Sequence, residues 1–153
     1  MKQRDFFLTA ISIGAIGIAN STLAFGRDDQ WSSGYGQGVC EAVVTSGAGN
    51  QIYVACECGS GRPSAIYFTL AGRAPAGDKL FLSFDNGPAT PVGLWSGAIP
   101  SDCHACASTF DFVKDGLKRH STVRVMYQNG DAATFTLKGS TKAIGECVAD
   151  FWK

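Results

Sequence analysis

Six cysteines, at positions 40, 56, 58, 103, 106 and 147, all follow a leader-like opening segment, and that placement constrains the fold more than any other feature of the chain. Residues 1–24 carry Lys2 and Arg4, then a mostly apolar run from Phe6 to Ala19, then small residues ending at Ala24. This is the three-part pattern of a secretory signal peptide. Gly14, Gly17, Asn20 and Ser21 interrupt the run before the roughly 20 apolar residues that a spanning helix needs. The expectation is a cleaved leader and an exported chain beginning at Phe25. An even number of cysteines behind such a leader predicts a disulfide framework in an oxidising compartment, the bacterial periplasm or the cell surface. No later apolar run reaches spanning length, so no membrane span is expected after cleavage.

Thirteen basic residues balance thirteen acidic ones, and the isoelectric point falls near 6.7. A neutral chain lacks the electrostatic footprint of a nucleic-acid binder. With 45% hydrophobic and 17% charged residues it has the material for a packed core. Within 153 residues the expected organisation is a leader (1–24), a flexible Gly/Ser/Asp-rich lead-in (25–38) with Trp31 and Tyr35 as docking points, and one β-rich domain (39–153).

Hydrophobic periodicity supplies the elements. Val39–Thr45 and Gln51–Cys58 flank a Gly-rich turn, and in the second run Ile52, Val54, Cys56 and Cys58 alternate with Gln51, Tyr53, Ala55 and Glu57. A β-hairpin follows, with the cysteines on the apolar face, so Cys40 is expected to pair with Cys56 or Cys58. Ala65–Ala71 and Lys79–Phe84 read as neighbouring strands, Thr90–Trp95 as a weaker one, and Ile99–Asp102 as a turn. Thr122–Gln128 and Ala133–Lys138, joined by Asn129-Gly130-Asp131, read as a second hairpin. The period then changes: Ser108–Arg119 predicts a helix capped by Ser108 with Asp111 three residues on, and Ile144, Cys147, Val148 and Phe151 predict a helical stripe over Ser140–Phe151 pressed onto the sheet. About seven strands and two short helices, without βαβ alternation, predict a mainly β fold: an antiparallel β-sandwich or flattened barrel.

The motifs favour scaffold over catalysis. Cys103-His104-Ala105-Cys106 has the spacing of a redox CxxC, yet the βαβ context of thioredoxin-like sites is missing, and a structural role is the preferred reading. Ala107 replaces the His that c-type haem attachment requires. The C-x-C spacing of Cys56 and Cys58 does not suit zinc. His104 and His120 sit in no nucleophile–base frame, and no GxSxG, HExxH or phosphate loop occurs. No catalytic residue, metal or cofactor is therefore assigned. His104, Lys114, Lys118 and Arg119 are the candidate contacts for a protein partner.

The stretch from Cys103-x-x-Cys106 through a helix-like segment and hairpin to Gln128, then Ala133-Thr134-Phe135-Thr136-Leu137-Lys138-Gly139 and a helix with the late Cys147, resembles the invasion-associated locus B family of small exported bacterial proteins. The likeness covers roughly residues 66–147. It departs from the family pattern in the closer spacing of the cysteine pair and in Cys56/Cys58. The resemblance implies a periplasmic or surface-associated β protein without catalytic residues, leaning towards envelope or host interaction. The function expected is thus a non-enzymatic, disulfide-stabilised protein-binding domain. The rivals are an enzyme inhibitor inserting the Cys103–Cys106 loop into a cleft, and a thiol-disulfide oxidoreductase.

Overall fold

The computed structural model describes residues 27–153; the leader and the start at Phe25 lie outside the described residues. The first hairpin forms as its alternation predicts. In β2 (Val39–Thr45) and β3 (Gln51–Glu57) the register pairs Cys40 with Cys56 and Val44 with Ile52, and Ala42, Val44, Ile52, Val54 and Cys56 point into the core. Around this hairpin assemble β1 (Ser32–Gly36), β4 (Ala65–Thr69) and β7 (Ala98–Pro100), giving a five-stranded sheet of order β1-β2-β3-β4-β7. A second sheet, of order β6-β5-β8-β9, is built from β5 (Lys79–Phe84), β6 (Thr90–Gly93), β8 (Thr122–Met126) and β9 (Ala132–Thr136). All named strand pairs are antiparallel.

One core lies between the sheets. Ile66, Phe68, Leu80, Leu82 and Phe135 meet Phe110, Val113 and Leu117 of the helix α1 (His104–Arg119) there, all buried. At roughly 1.5–3 kcal/mol per fully buried large apolar side chain, this cluster is the main source of stability. The fold is the expected antiparallel β-sandwich with two short helices, the second being α2 (Ser140–Ile144).

Five local expectations are corrected. The described part of the lead-in is ordered: Asp28 accepts the Thr45 hydroxyl at 2.7 Å, Trp31 is buried and donates its indole N–H to Thr136 O at 2.8 Å, and β1 follows, while Tyr35 is 71% exposed. The runs at 65–71 and 79–84 are not neighbours, because the connection through Gly72–Asp78 crosses from one sheet to the other. Ile99 is not in a turn but in β7, fully buried opposite Ile66, and with β1 this raises the strand number to nine among the described residues. α1 starts at His104 and not after Ser108, because Cys103 takes the N-cap: its sulfur receives the Cys106 N–H while the Cys106 sulfur receives the Cys103 N–H. The last helix stops at Ile144, since Gly145 adopts φ 59° and ψ −145° and turns the chain away; a separate 3-10 turn, Asp150–Trp152, comes after it.

The cysteines form three bridges. Cys40 joins Cys58, within the pair of alternatives expected, Cys56 joins Cys147 across 91 residues, and Cys103 joins Cys106. Cys56 is the register partner of Cys40, but its side chain is buried and reaches the C-terminal segment; Cys58, just past the end of β3, takes Cys40 diagonally.

Candidate functional site

The outward face of the five-stranded sheet holds a tyrosine-lined groove. Alternation sends Tyr53, Ala55 and Glu57 of β3 away from the core, opposite the face that carries Ile52, Val54 and Cys56. Tyr53 and Tyr67 are direct cross-strand partners, with ring centroids 5.9 Å apart and tilted by 41°. The small side chain of Ala55 keeps the floor low, so an open depression of about 260 Å³ forms between Tyr53, Tyr67, Glu57, Arg62 and Pro63. A second depression shares Val39, Tyr53 and Arg62 with it and runs on to Glu41 and Gly36.

The polar groups along this groove are fixed. Tyr53 donates its hydroxyl to the Glu41 carboxylate, and burial, reinforced by that carboxylate, pushes the Tyr53 phenol well above its ordinary pKa. It is a neutral phenol at every physiological pH. Glu57 accepts the N–H groups of Gly59 (2.6 Å) and Gly61 (3.0 Å), which hold its carboxyl below the usual range, and its other oxygen lies 3.5 Å from Lys153 Nζ. Arg62 and Tyr67 are exposed, the latter at 45%. The groove thus combines two amphipathic aromatics with a guanidinium and two oriented carboxylates on a rigid sheet.

Lys153, which reaches Glu57, follows a C-terminal turn that packs on the first turn of α1. His104 is edge-on to Phe151 and to Trp152, each with centroids 5.5 Å away, and those two rings are 4.9 Å from each other. Trp152 donates its indole N–H to Asp111 at 2.9 Å, and Phe151 its backbone N–H to Ser101 O at 2.9 Å. Asp150 anchors this segment: its carboxylate accepts the Ser64 N–H at 2.6 Å and the Ser101 hydroxyl at 2.7 Å and pairs with Lys153 at 2.8 Å. Burial opposes that charge, but these partners outweigh it and hold the Asp150 carboxyl at about 2. Val148, Phe151 and Trp152 remain between 45% and 48% exposed, which the expected stripe along a core-facing helix did not anticipate.

The predicted basic contacts do not come together. Lys114 is only 13% exposed and pairs with Asp111 at 2.7 Å, and Lys118 donates to Gly145 O at 2.9 Å. Both serve the packing of α1. Arg119 is exposed at the helix end, fifteen positions from His104, or about 22 Å along the axis. His120 is taken up by Asp85 at 2.8 Å and by stacking on Phe84. The Cys103–Cys106 segment is helix, not the insertable loop of the inhibitor reading. The groove is not visible in the sequence, although alternation puts Tyr53 and Glu57 on the outward face; its sign is a tyrosine at an outward position of each of two strands that pair. Among the described residues no group of three or more His, Cys, Asp or Glu is placed to hold a metal ion, and no helix is long and apolar enough to cross a membrane.

A family model described as YfjT matches residues 29–144, from the residues before β1 to the end of α2. No curated protein and no solved structure matches the chain.

Proposed function

The chain belongs to the YfjT family, and we propose that it is an exported, disulfide-stabilised domain of the bacterial envelope that binds another protein through the tyrosine groove. The observation that carries this reading is the Tyr53–Tyr67 pair beside Arg62 on an open, rigid sheet face. Tyrosine and arginine are the residues that most often anchor interfaces, because each offers large contact area with a polar tip at modest cost in side-chain freedom. Three bridges in a small β domain support an oxidising compartment, and the resemblance to the invasion-associated locus B family adds the leaning towards a host-facing or envelope partner.

The test is site-specific photo-crosslinking on the exported protein, with the reactive group at position 67 and a control at exposed Lys79 on the other sheet. A discrete adduct at 67 and none at 79 is expected. Tyr67→Ala and Arg62→Ala should each weaken the captured partner's affinity at least tenfold, the loss typical of an anchoring residue. Adducts of equal strength at both positions, or unchanged affinity in both variants, would remove the groove from this role.

A further inference from the structure

The three bridges are not alike. Cys56–Cys147 is buried at both ends. Cys40–Cys58 has an exposed sulfur-bearing residue, Cys58, but joins a strand to a turn. Cys103–Cys106 alone lies at the start of a long helix, and its two ends differ: Cys103 is exposed, whereas Cys106 is 1% exposed and packed in the core. Each sulfur faces a backbone donor, the Cys106 N–H at 3.2 Å from Cys103 Sγ and the Cys103 N–H at 2.9 Å from Cys106 Sγ. Those N–H groups and the positive end of the helix stabilise a thiolate if the bridge opens. Asp102 Oδ1, 3.8 Å from Cys106 Sγ, works against a lasting negative charge on that buried sulfur, so Cys106 takes up a proton once the bridge opens, while Cys103 is the sulfur open to an incoming thiolate. Against the ring of His104, the residue that follows the exposed Cys103, stand Phe151 and Trp152, half exposed, with Val148 also open to solvent.

Against the structural role expected from the sequence, we propose that Cys103–Cys106 is a thiol-disulfide exchange site, and that its substrates are cysteine-bearing apolar segments of other polypeptides laid against Phe151 and Trp152. A substrate thiolate attacks Cys103 Sγ, the accessible sulfur. The new S–S bond forms as the Cys103–Cys106 bond breaks, and the electron pair leaves on Cys106 Sγ, which takes the proton that the substrate's second thiol gives up. A second thiolate of the same substrate attacks its own sulfur in the mixed disulfide and releases Cys103 as a thiolate. The substrate dithiol is oxidised by two electrons to a disulfide and the protein bridge is reduced to a dithiol. The groove on the sheet takes no part, so this proposal stands or falls apart from the binding function above.

The experiment equilibrates the intact three-bridge protein with mixtures of reduced and oxidised glutathione, blocks free thiols by alkylation, and locates the label by peptide mass. Cys103 and Cys106 should be labelled over a range at least tenfold less reducing than that needed for Cys40–Cys58, the other bridge with an exposed end, and for Cys56–Cys147. In Cys106→Ser, Cys103 should form a mixed disulfide with an oxidised Leu- and Phe-flanked cysteine peptide at least tenfold faster than Cys106 does in Cys103→Ser. Adding Phe151→Ala and Trp152→Ala should slow reaction with that peptide and not with oxidised glutathione. Three bridges that open together, a 103–106 bridge that opens last, or peptide rates indifferent to the two aromatic truncations would each overturn the proposal. The glutathione titration needs no substitution, so it decides even if a cysteine variant fails to fold.

Discussion

Asp150 shows how much one carboxylate can organise. It satisfies a backbone N–H from the segment before β4, a hydroxyl from the turn after β7 and the ammonium of Lys153, and so pins the C-terminal turn to two separate parts of the chain. Its folded-state pKa, about 2, lies below the ordinary aspartate value of 3.8. A carboxyl depressed by folding adds stability that is fully present above the unfolded value and is lost as pH falls through the folded one. Asp150 therefore contributes to an acid limb between about pH 4 and pH 2. Its side chain retains some solvent contact, and after screening the contribution is about 1–2 kcal/mol. Asp150→Asn should lower neutral-pH stability by that amount and flatten the limb, as read by urea denaturation at pH 7, 4 and 2.5; an equal loss at all three would show that the charge is not what matters. Nothing in the sequence singles this residue out, because its partners are 49 and 86 positions away. Tyr53, by contrast, was legible as an outward residue, and only its cross-strand meeting with Tyr67 was not.

Among the elements, the hairpins were readable and the helix boundaries were not. In β2–β3 and β8–β9 the alternation has a period of two and the turns carry Gly and Asn, so pattern and turn chemistry agree. The start of α1 was hidden because a cysteine is not a capping residue by type; it caps here through its sulfur, five residues before the Ser108 that looks like a cap. Gly116 shows the same limit. By propensity it weakens the helix, and Gly116→Ala at an open site would stabilise by about 1 kcal/mol. Here a Cβ would stand 2.4 Å from the tip of the Phe84 ring, itself stacked on His120. The glycine is what lets α1 approach the second sheet. Gly116→Ala is expected to destabilise by about 1–2 kcal/mol, and the pair Gly116→Ala with Phe84→Ala to fall short of additivity by about 1 kcal/mol. Additive losses in a thermal-melt cycle would mean that the ring moves aside freely.

For the whole molecule, the sequence carried the fold class but not the allocation of strands to sheets. β4 and β5 are similar in composition, the connection between them (70–78) suits either a hairpin or a crossing, and only the joint core decides which sheet each strand completes. The same holds for the bridges: hairpin register narrowed the partner of Cys40 to two, while the Cys56–Cys147 link depends on where the last segment returns, which no local pattern records. That return sets a ranking of stabilities. In the chain-entropy account a bridge constrains the unfolded state more the longer the loop it closes. Separations of 91, 18 and 3 residues correspond to about 4.6, 3.2 and 1.6 kcal/mol respectively. Removing Cys56 and Cys147 together, as Ala, should therefore lower the melting temperature most, by about 10 °C or more for a domain of this size. The Cys40/Cys58 pair should come second and the Cys103/Cys106 pair last, the order required if the last bridge is free to open without unfolding the rest. Calorimetric melts of the three double-alanine variants test this, and a Cys103/Cys106 variant that melts lowest would show instead that the bridge at the start of α1 holds the sandwich together.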